Sequence, residues 1–541
     1  MRNVIELAPL AVLQKYPDHD YTLAGVLRSR AAVNGDKPLL LFEDSAFSWA
    51  GFEAEVERVA RMLLALGAAE GDRIAIMALS SDRYAMLLFA TARIGAILVP
   101  INPELRASEA AYILTHAEPK LVFCNTLTFE IARKALVEAA LPSRMVALDS
   151  GCDSLQGWDQ LLAETGKAAE PLPWASADQV SLIIYTSGTT GRPKGVMHTQ
   201  CNFVTCGEAF VERMWLQPDD RLMCILPMYH LNALFYIIGG TLAAGASIVV
   251  LSRFSATTFW DVAARSGATQ VNIVAAVGRI LARRPRSEFN AAHRISKVYG
   301  APITADIDAV FKDEFGVQAV TEGYGMSEIP GVANIPIHGP YKVGSFGVAA
   351  RHPDHSRPFS ELRIVDDDGR DVANGVVGQL LVRTPIIMKG YYRDPETTAA
   401  SFRDGWFMTG DRVMRDHDGY YAFLGRQKDI IRRRGENISG AEIDQVICLH
   451  PGVVDAAAIA VDADLGEDEI LVAIIKRPDA ELGAVEIRDW CAQRLAPIKV
   501  PRYVVFVQSL PYTPTHRVAK YRLKEDTSLR FRAVDVHARF L

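Results

Sequence analysis

The 541-residue chain lacks any marked excess of one charge: Lys and Arg number 58 against 64 Asp and Glu, a formal net charge of −6. No bulk field therefore favours nucleic acid or an anionic membrane as a partner. Its seven cysteines, Cys124, Cys152, Cys201, Cys206, Cys224, Cys448 and Cys491, show no CxxC spacing. That speaks against a disulfide framework or a zinc site and fits reduced thiols in a cytoplasmic protein. The opening MRNVIELAPLAVLQKYPDHD has an early Glu6 and only a short apolar run, a poor match to a secretory signal peptide. No repeat or low-complexity tract occurs. Residues 223–252 lack Asp, Glu, Lys and Arg altogether and are long enough to cross a bilayer. Pro227, His230 and Asn232 interrupt them and Gly239, Gly240 and Gly245 divide them. The expectation is therefore a buried strand, helix and strand, with no membrane span.

What is present is an ordinary globular composition, 49% hydrophobic and 23% charged, in a chain too long for one core. Short β-branched runs alternate with helical patterns: RIAIMA (73–78), then the apolar-periodic YAMLLFATARIGAI (84–97), then KLVFC (120–124) and MVAL (145–148). VSLIIYT (180–186), LMCIL (222–226), SIVVL (247–251), VNIVA (271–275) and SKVYG (296–300) continue the series. This rhythm predicts an α/β fold with parallel-rich sheets and helices on their faces. After about residue 340, LRIVDDDGRDV and GQLLVRT predict a small antiparallel, barrel-like part built on Asp-Gly turns. A last α+β unit follows, with helices AEIDQVICLH and VEIRDWCAQRL and strands AAAIAVD, ILVAIIK and YVVFVQ. The boundary is placed at Gln427–Ile430, giving an N-terminal domain over 1–427 and a C-terminal one over 428–541.

Residues 184–195 read IYTSGTTGRPKG. A buried strand ends in hydroxyls, glycines and one lysine, the ingredients of a polyphosphate cradle, at a spacing that is not the ordinary GxxxxGK[ST] loop. Further along stand PMYHLNA (227–233), YGAP (299–302), EGYGMSE (322–328), YYRDPETT (391–398), GWFMTGD (405–411), GRQKDIIRRRGENIS (425–439) and PYTPTHRVAK (511–520). Together these resemble, in order, the motifs of the adenylate-forming superfamily of acyl-CoA synthetases, nonribosomal-peptide adenylation domains and luciferases. RRRGEN and TPTxRVxK are weakly similar to the carnitine- and crotonobetaine-CoA ligase branch.

The resemblance implies a large N-terminal domain, a small mobile C-terminal domain that alternates between two half-reactions, and ATP, Mg²⁺ and coenzyme A as reactants and cofactor. Thr186, Ser187, Gly188, Thr189, Thr190 and Lys194 are implied to hold phosphates, with Glu328 and Thr189 as Mg²⁺ ligands. Gly300, Ala301 and Pro302 are implied on one side of adenine, and Glu322, Gly323, Tyr324, Gly325, Met326 and Ser327 belong to the nucleotide motif, with Tyr324 stacking on the ring. Asp411 would accept from the ribose hydroxyls, which suits an acceptor-only carboxylate; Arg426 would support it, and Asp429 would be the hinge. His230 would flank the acyl site. Arg432, Arg433, Arg434 and Gly435 would meet the phosphates or pantetheine of CoA.

One departure stands out. The family's C-terminal Pro-x-x-x-x-Gly-Lys places its adenylation lysine where this chain has Arg517, after His516, with Lys520 three residues on. Arg517 keeps the charge as a planar fork; Lys520 keeps the ammonium at a shifted register. Both remain candidates for the catalytic cation, beside weak adenylation.

The leading expectation is a stand-alone acid–CoA ligase. The alternatives are loading of a carrier protein in trans, an oxygenase of the luciferase kind, and a silent binding protein. GCDSL (151–155) is only faintly like a carrier attachment site. The acyl wall implied by the resemblance, from segments 229–236, 272–278, 300–303 and 323–334, holds Tyr229, Phe235, Tyr236, Val274, Val277, Ile303, Ile329, Pro330 and Val332. It suits an apolar or partly apolar carboxylic acid. A homodimeric assembly is left open.

Overall fold

The computed structural model describes residues 6–150, 155–165, 172–186, 193–426, 430–433, 436–462, 468–512 and 518–536. The chain divides into two compact units, one of Met1–Glu361 with Val382–Gly405, the other of Leu362–Leu381 with Trp406–Leu541. The expected boundary at Gln427–Ile430 falls largely on residues 427–429, outside those described.

The first unit carries two large sheets. In the nine-stranded one, Pro38–Phe42, Ser247–Val250, Arg221–Cys224, Gln270–Val274, Lys297–Ala301 and Ala319–Met326 run side by side in parallel. The seven-stranded sheet is parallel through Val180–Thr186, Ile97–Pro100, Arg73–Met77, Leu121–Cys124 and Arg144–Ala147. Lys194–Thr199 and then Gly390–Tyr391 extend it as antiparallel strands, the second at the edge. The expected strands are all found, shifted by a residue or two at their ends. The helix expected over 84–97 stops at Arg93, because Gly95 at φ +71° turns the chain into the strand Ile97–Pro100.

The helix Gln200–Met214 is buried over nearly its whole surface, the pattern of a helix packed on all sides. Its N-terminus is capped by Thr199, whose hydroxyl accepts from Asn202 N–H while Asn202 Oδ1 accepts from Thr199 N–H. Gly207 lies against Gly239 so closely that a Cβ built on Gly207 would stand 2.4 Å from the Gly239 carbonyl oxygen. Gly239 opens Gly239–Ala244, which continues the π-wound Asn232–Ile238. The charge-free stretch 223–252 is thus part of strand, helix and strand in the core, and no helix among the described residues is long and apolar enough to cross a membrane.

Glu208 on the same helix is buried between two histidines, His19 Nε2 at 3.2 Å and His352 Nε2 at 3.1 Å. Burial would push its carboxyl up; the hydrogen bonds from His19 and His352 outweigh that and hold it down at about 2.

The second unit contains the expected antiparallel part, with Trp406–Arg415 paired to Tyr421–Arg426 and Gly378–Arg383 and Glu361–Val365 beyond it. The hairpin Ile430–Arg433/Glu436–Ser439 leads to the helix Gly440–Cys448. Val453–Asp462, Asp468–Lys476, Tyr503–Phe506 and Val534–Asp535 then form a four-stranded mixed sheet, beside the helix Ala484–Ala492. Its core is aliphatic: Ile431, Ile438, Ile443, Ile447, Val472 and Ile474 are buried together.

In a free helix Gly→Ala stabilises by about 1 kcal/mol. Here Gly207→Ala meets backbone, so the expected effect has the opposite sign, a loss of about 1–3 kcal/mol in denaturant unfolding.

Candidate active site

Thr186 and Lys194 face each other across the antiparallel pair at either end of the loop expected to hold phosphate. Ser187, Gly188, Thr189 and Thr190 lie outside the described residues. Lys194–Thr199 has a partner on each side, because Gly390–Tyr391 pairs with Met197 and Val196. Lys389 N–H donates to Met197 O at 2.8 Å and Tyr392 N–H to Gly195 O at 2.7 Å. This register sets the Tyr391 ring 5.0 Å from Lys194 Nζ.

Glu328 arrives at the same place from the other sheet. Ala319–Met326 and Ile329–Asn334 form a tight hairpin with Ser327 and Glu328 at its tip. A Cβ on Gly325 would stand 2.3 Å from Gly331 N, so the crossing needs glycine. The tip is held by three bonds. Tyr391 hydroxyl donates to Glu328 Oε1 at 2.8 Å, Met388 N–H donates to Glu328 O at 2.8 Å, and His198 Nε2 lies 2.6 Å from Ser327 O. Burial holds His198 down at about 4, so it is neutral, and facing a carbonyl its Nε2 carries the proton. Asn202 Nδ2 donates to Ile387 O at 2.9 Å and so fastens the segment before Tyr391.

Gly300 and Ala301 end the strand Lys297–Ala301, with Pro302 directly after it and Gly300 opposite Glu322. A Cβ on Gly300 would stand 2.3 Å from Ile303 Cδ1, and one on Gly323 would stand 2.4 Å from the Tyr299 hydroxyl. Tyr324 stacks on Phe346, ring centres 4.6 Å apart. Met326 faces Ile329 across the hairpin. Glu322 is buried and its Oε2 accepts from Ile303 N–H at 3.0 Å; burial pushes its carboxyl up to about 8. His230 is partly exposed and packs against Tyr229, ring centres 4.2 Å apart.

In the second unit Asp411 is buried, takes its N–H to Thr409 Oγ1 at 3.1 Å, and stands directly opposite Arg426 in the ladder. Arg432 pairs by backbone with Asn437; Asp429, Arg434, Gly435 and Arg517 lie outside the described residues. Two expected ligands are engaged inside this unit. Arg433 is 3% exposed, donates to Ile498 O at 2.8 Å and Val500 O at 3.0 Å, and pairs with Glu469 at 3.0 Å. Those donors hold structure and are not offered to a CoA phosphate. Lys520 Nζ lies 2.5 Å from Asp444 Oδ2, with little exposure on either side. Burial pushes Asp444 up to about 6 despite that lysine.

Reasoning from the sequence gave no role to Tyr391, His198 or Asn202. Tyr391 lay inside a recognised motif, whereas His198 and Asn202 carry no local signal that separates them from other polar residues of a buried strand and helix.

Glu322 generates a test. Its carboxyl sits far above the unfolded value near 4.5, so its contribution is fully present below pH 4.5 and is lost as pH rises through 8. Glu322→Gln keeps an acceptor for Ile303 N–H without the charge. Thermal melts across pH 6–9 should show the variant gaining on wild type as pH rises, by a few kcal/mol at pH 9.

The model of the AMP-binding enzyme family matches residues 27–392, and that of the AMP-binding enzyme C-terminal domain matches residues 442–517. The chain is 34% identical over 507 residues to a sulfoacetate–CoA ligase of Cupriavidus necator, covering 93% of this chain and 97% of that protein. It is 30% identical over 512 residues to a crotonobetaine/carnitine–CoA ligase of Salmonella choleraesuis, covering 91% and 97%. Among solved structures, ATP-bound MatB from Rhodopseudomonas palustris superposes with a TM-score of 0.83 at 30% identity, covering 94% of this chain and 98% of that one. On these matches, the chain belongs to the AMP-binding enzyme family.

Proposed function

We infer that this protein is an ATP-dependent carboxylic acid–CoA ligase. A carboxylate oxygen attacks the α-phosphorus of ATP and pyrophosphate leaves with the bridging oxygen. The CoA thiol, losing its proton, then attacks the acyl carbon of the adenylate, the C–S bond forms, and AMP departs. The observation that carries the reading is the convergence of three separate motifs on Tyr391: Lys194 beside its ring at 5.0 Å and Glu328 on its hydroxyl at 2.8 Å. A lysine for phosphate oxygens and a buried carboxylate are thereby held next to the loop that resembles a triphosphate cradle.

The donor chemistry fits Mg²⁺. Among the described residues no cluster of three or more His, Cys, Asp or Glu forms a cage. A single hard carboxylate, Glu328, suits an ion that takes its other oxygens from phosphate and water. Bound there, Mg²⁺ would neutralise phosphate charge. Tyr391 orients the carboxylate; Thr189 completes the protein's share in this reading. Gly300, Ala301, Pro302 and Tyr324 are assigned to adenine, Asp411 and Arg426 to ribose, His230 to the acyl site, and Arg432 and Arg434 to CoA. Arg433 leaves that set, since it is buried and both its terminal nitrogens are engaged within its own unit. Arg517 is the adenylation cation of choice because Lys520 is engaged by Asp444. We assign the larger part of the chain, 1–427, to substrate binding and the smaller, 428–541, to switching between half-reactions.

AMP release with ATP and a panel of acids should depend on CoA; equal release without CoA would falsify the ligase reading. ATP–pyrophosphate exchange in Arg517→Ala should fall by about a hundredfold or more, and exchange at the wild-type rate returns the role to Lys520. Tyr391→Phe removes the bond that orients Glu328. Calorimetric affinity for Mg·ATP should weaken by roughly tenfold, and an unchanged affinity means that Glu328 is positioned without it.

A further inference from the structure

The helix Ala107–Ala117 reaches both ends of the loop expected to hold phosphate. At the loop's start Tyr185 precedes Thr186, and the Tyr185 hydroxyl lies 2.7 Å from His116 Nδ1. At its far end Pro193 precedes Lys194, and the Tyr112 hydroxyl donates to Pro193 O at 3.3 Å. Tyr112 and His116 are one helical turn apart and stack, ring centres 6.1 Å apart. The His116 ring also meets those of Tyr185 and Tyr392 at near right angles, at 5.8 and 5.7 Å. Burial and the nearby Arg393 hold His116 below its usual value, and burial holds the Tyr185 phenol above its own, so at pH 7 the imidazole is neutral and the phenol protonated. The Tyr185 hydroxyl makes no other hydrogen bond among the described residues, so its proton goes to Nδ1 and the imidazole proton sits on Nε2.

The same helix end holds the segment that carries Tyr391. Arg393 donates from Nη1 to His116 O at 3.2 Å and from Nη2 to Glu118 Oε2 at 2.5 Å. It does so at φ +55°, a left-handed conformation that costs a residue with a side chain and persists only where the surroundings over-determine it. Apolar contacts alone would pack this helix on the sheet, as Ala110, Ile113 and Leu114 do against Ile183. Hydrogen bonds add direction to that packing. The helix places them on the two residues that flank the loop and on the segment directly after Tyr391.

We propose that His116, acting through Tyr185 and together with Tyr112, is a positioning residue for ATP binding: it fixes both ends of the phosphate loop and so sets where Thr186 and Lys194 meet the terminal phosphates. The proposal rests on the ligase reading and extends it to residues that touch neither nucleotide nor acid. A neutral imidazole suits the task, because it accepts the Tyr185 proton without adding a charge that would compete with Lys194 for phosphate.

Calorimetric titration with Mg·ATP and with AMP tests it, since AMP lacks the phosphates that this loop would hold. Tyr185→Phe and His116→Leu should each weaken Mg·ATP binding by roughly threefold to tenfold and leave AMP binding unchanged. The double variant should bind no worse than either single one, because both remove the same bond. His116→Asn, whose Oδ1 can replace Nδ1 as acceptor, should keep most of the affinity. Should His116→Leu fail to fold, Tyr185→Phe and His116→Asn still decide. Equal weakening for both nucleotides makes the cluster a packing element only and overturns the proposal. Unchanged Mg·ATP affinity in the single variants overturns it too, as do losses that add in the double variant. A wild-type protein that binds no Mg·ATP sinks the ligase reading and this inference together; wild-type binding that the variants leave untouched sinks this inference alone.

Discussion

The site in the first unit depends on a single register, that of Gly390–Tyr391 against Lys194–Thr199. The strand Lys194–Thr199 is held from both sides, so Lys194 and Tyr391 are placed by backbone hydrogen bonds and not by the conformations of long side chains. A slip by one residue would turn Tyr391 to the opposite face and part it from Glu328. The neutral His198 and the cap residue Asn202 secure the same arrangement from behind, one on the Glu328 tip and one on the segment that leads into Tyr391. Geometry of this kind, built on strand ends and supported by locked neighbours, is fixed before any ligand arrives.

The alternation of parallel strands and helices was legible because each β-branched run is short and is bounded by turn residues. Its one error, the overlong helix, came from an apolar pattern that continues through Gly95, where only the glycine's left-handed turn marks the break. The order of site motifs was legible too, because glycines, hydroxyls and acids stand at fixed offsets. What could not be read was which members of a basic run face inward. Arg432, Arg433 and Arg434 look alike in sequence, yet in a hairpin side chains alternate, and Arg433 falls on the inner side with Ile431. Lys520 was equally opaque, since its partner Asp444 lies on a helix far back in the chain.

Buried charge in this molecule is met in more than one way. Where a buried cation has its acid, as for Lys297 and Arg433, the pair fixes one element against another. Arg213 instead lies among the rings of Phe210, Tyr236 and Tyr299 and donates to the Gly331 carbonyl, which ties the helix Gln200–Met214 to the segment after the Glu328 tip. Glu322 shows the reverse case, a carboxyl kept neutral by burial, which lets it accept the Ile303 N–H without adding negative charge at the start of its hairpin motif.

The carboxylate of Glu208, clasped by His19 and His352, also constrains how the chain is made. His19 is synthesised long before His352. At typical elongation rates the interval is on the order of tens of seconds. Throughout it, the helix Gln200–Met214 exists without one of the two imidazoles that hold its acid at low pKa. The N-terminal segment and this helix therefore reach their final packing only once the chain has emerged well past residue 352, and folding of the first unit is completed late in synthesis.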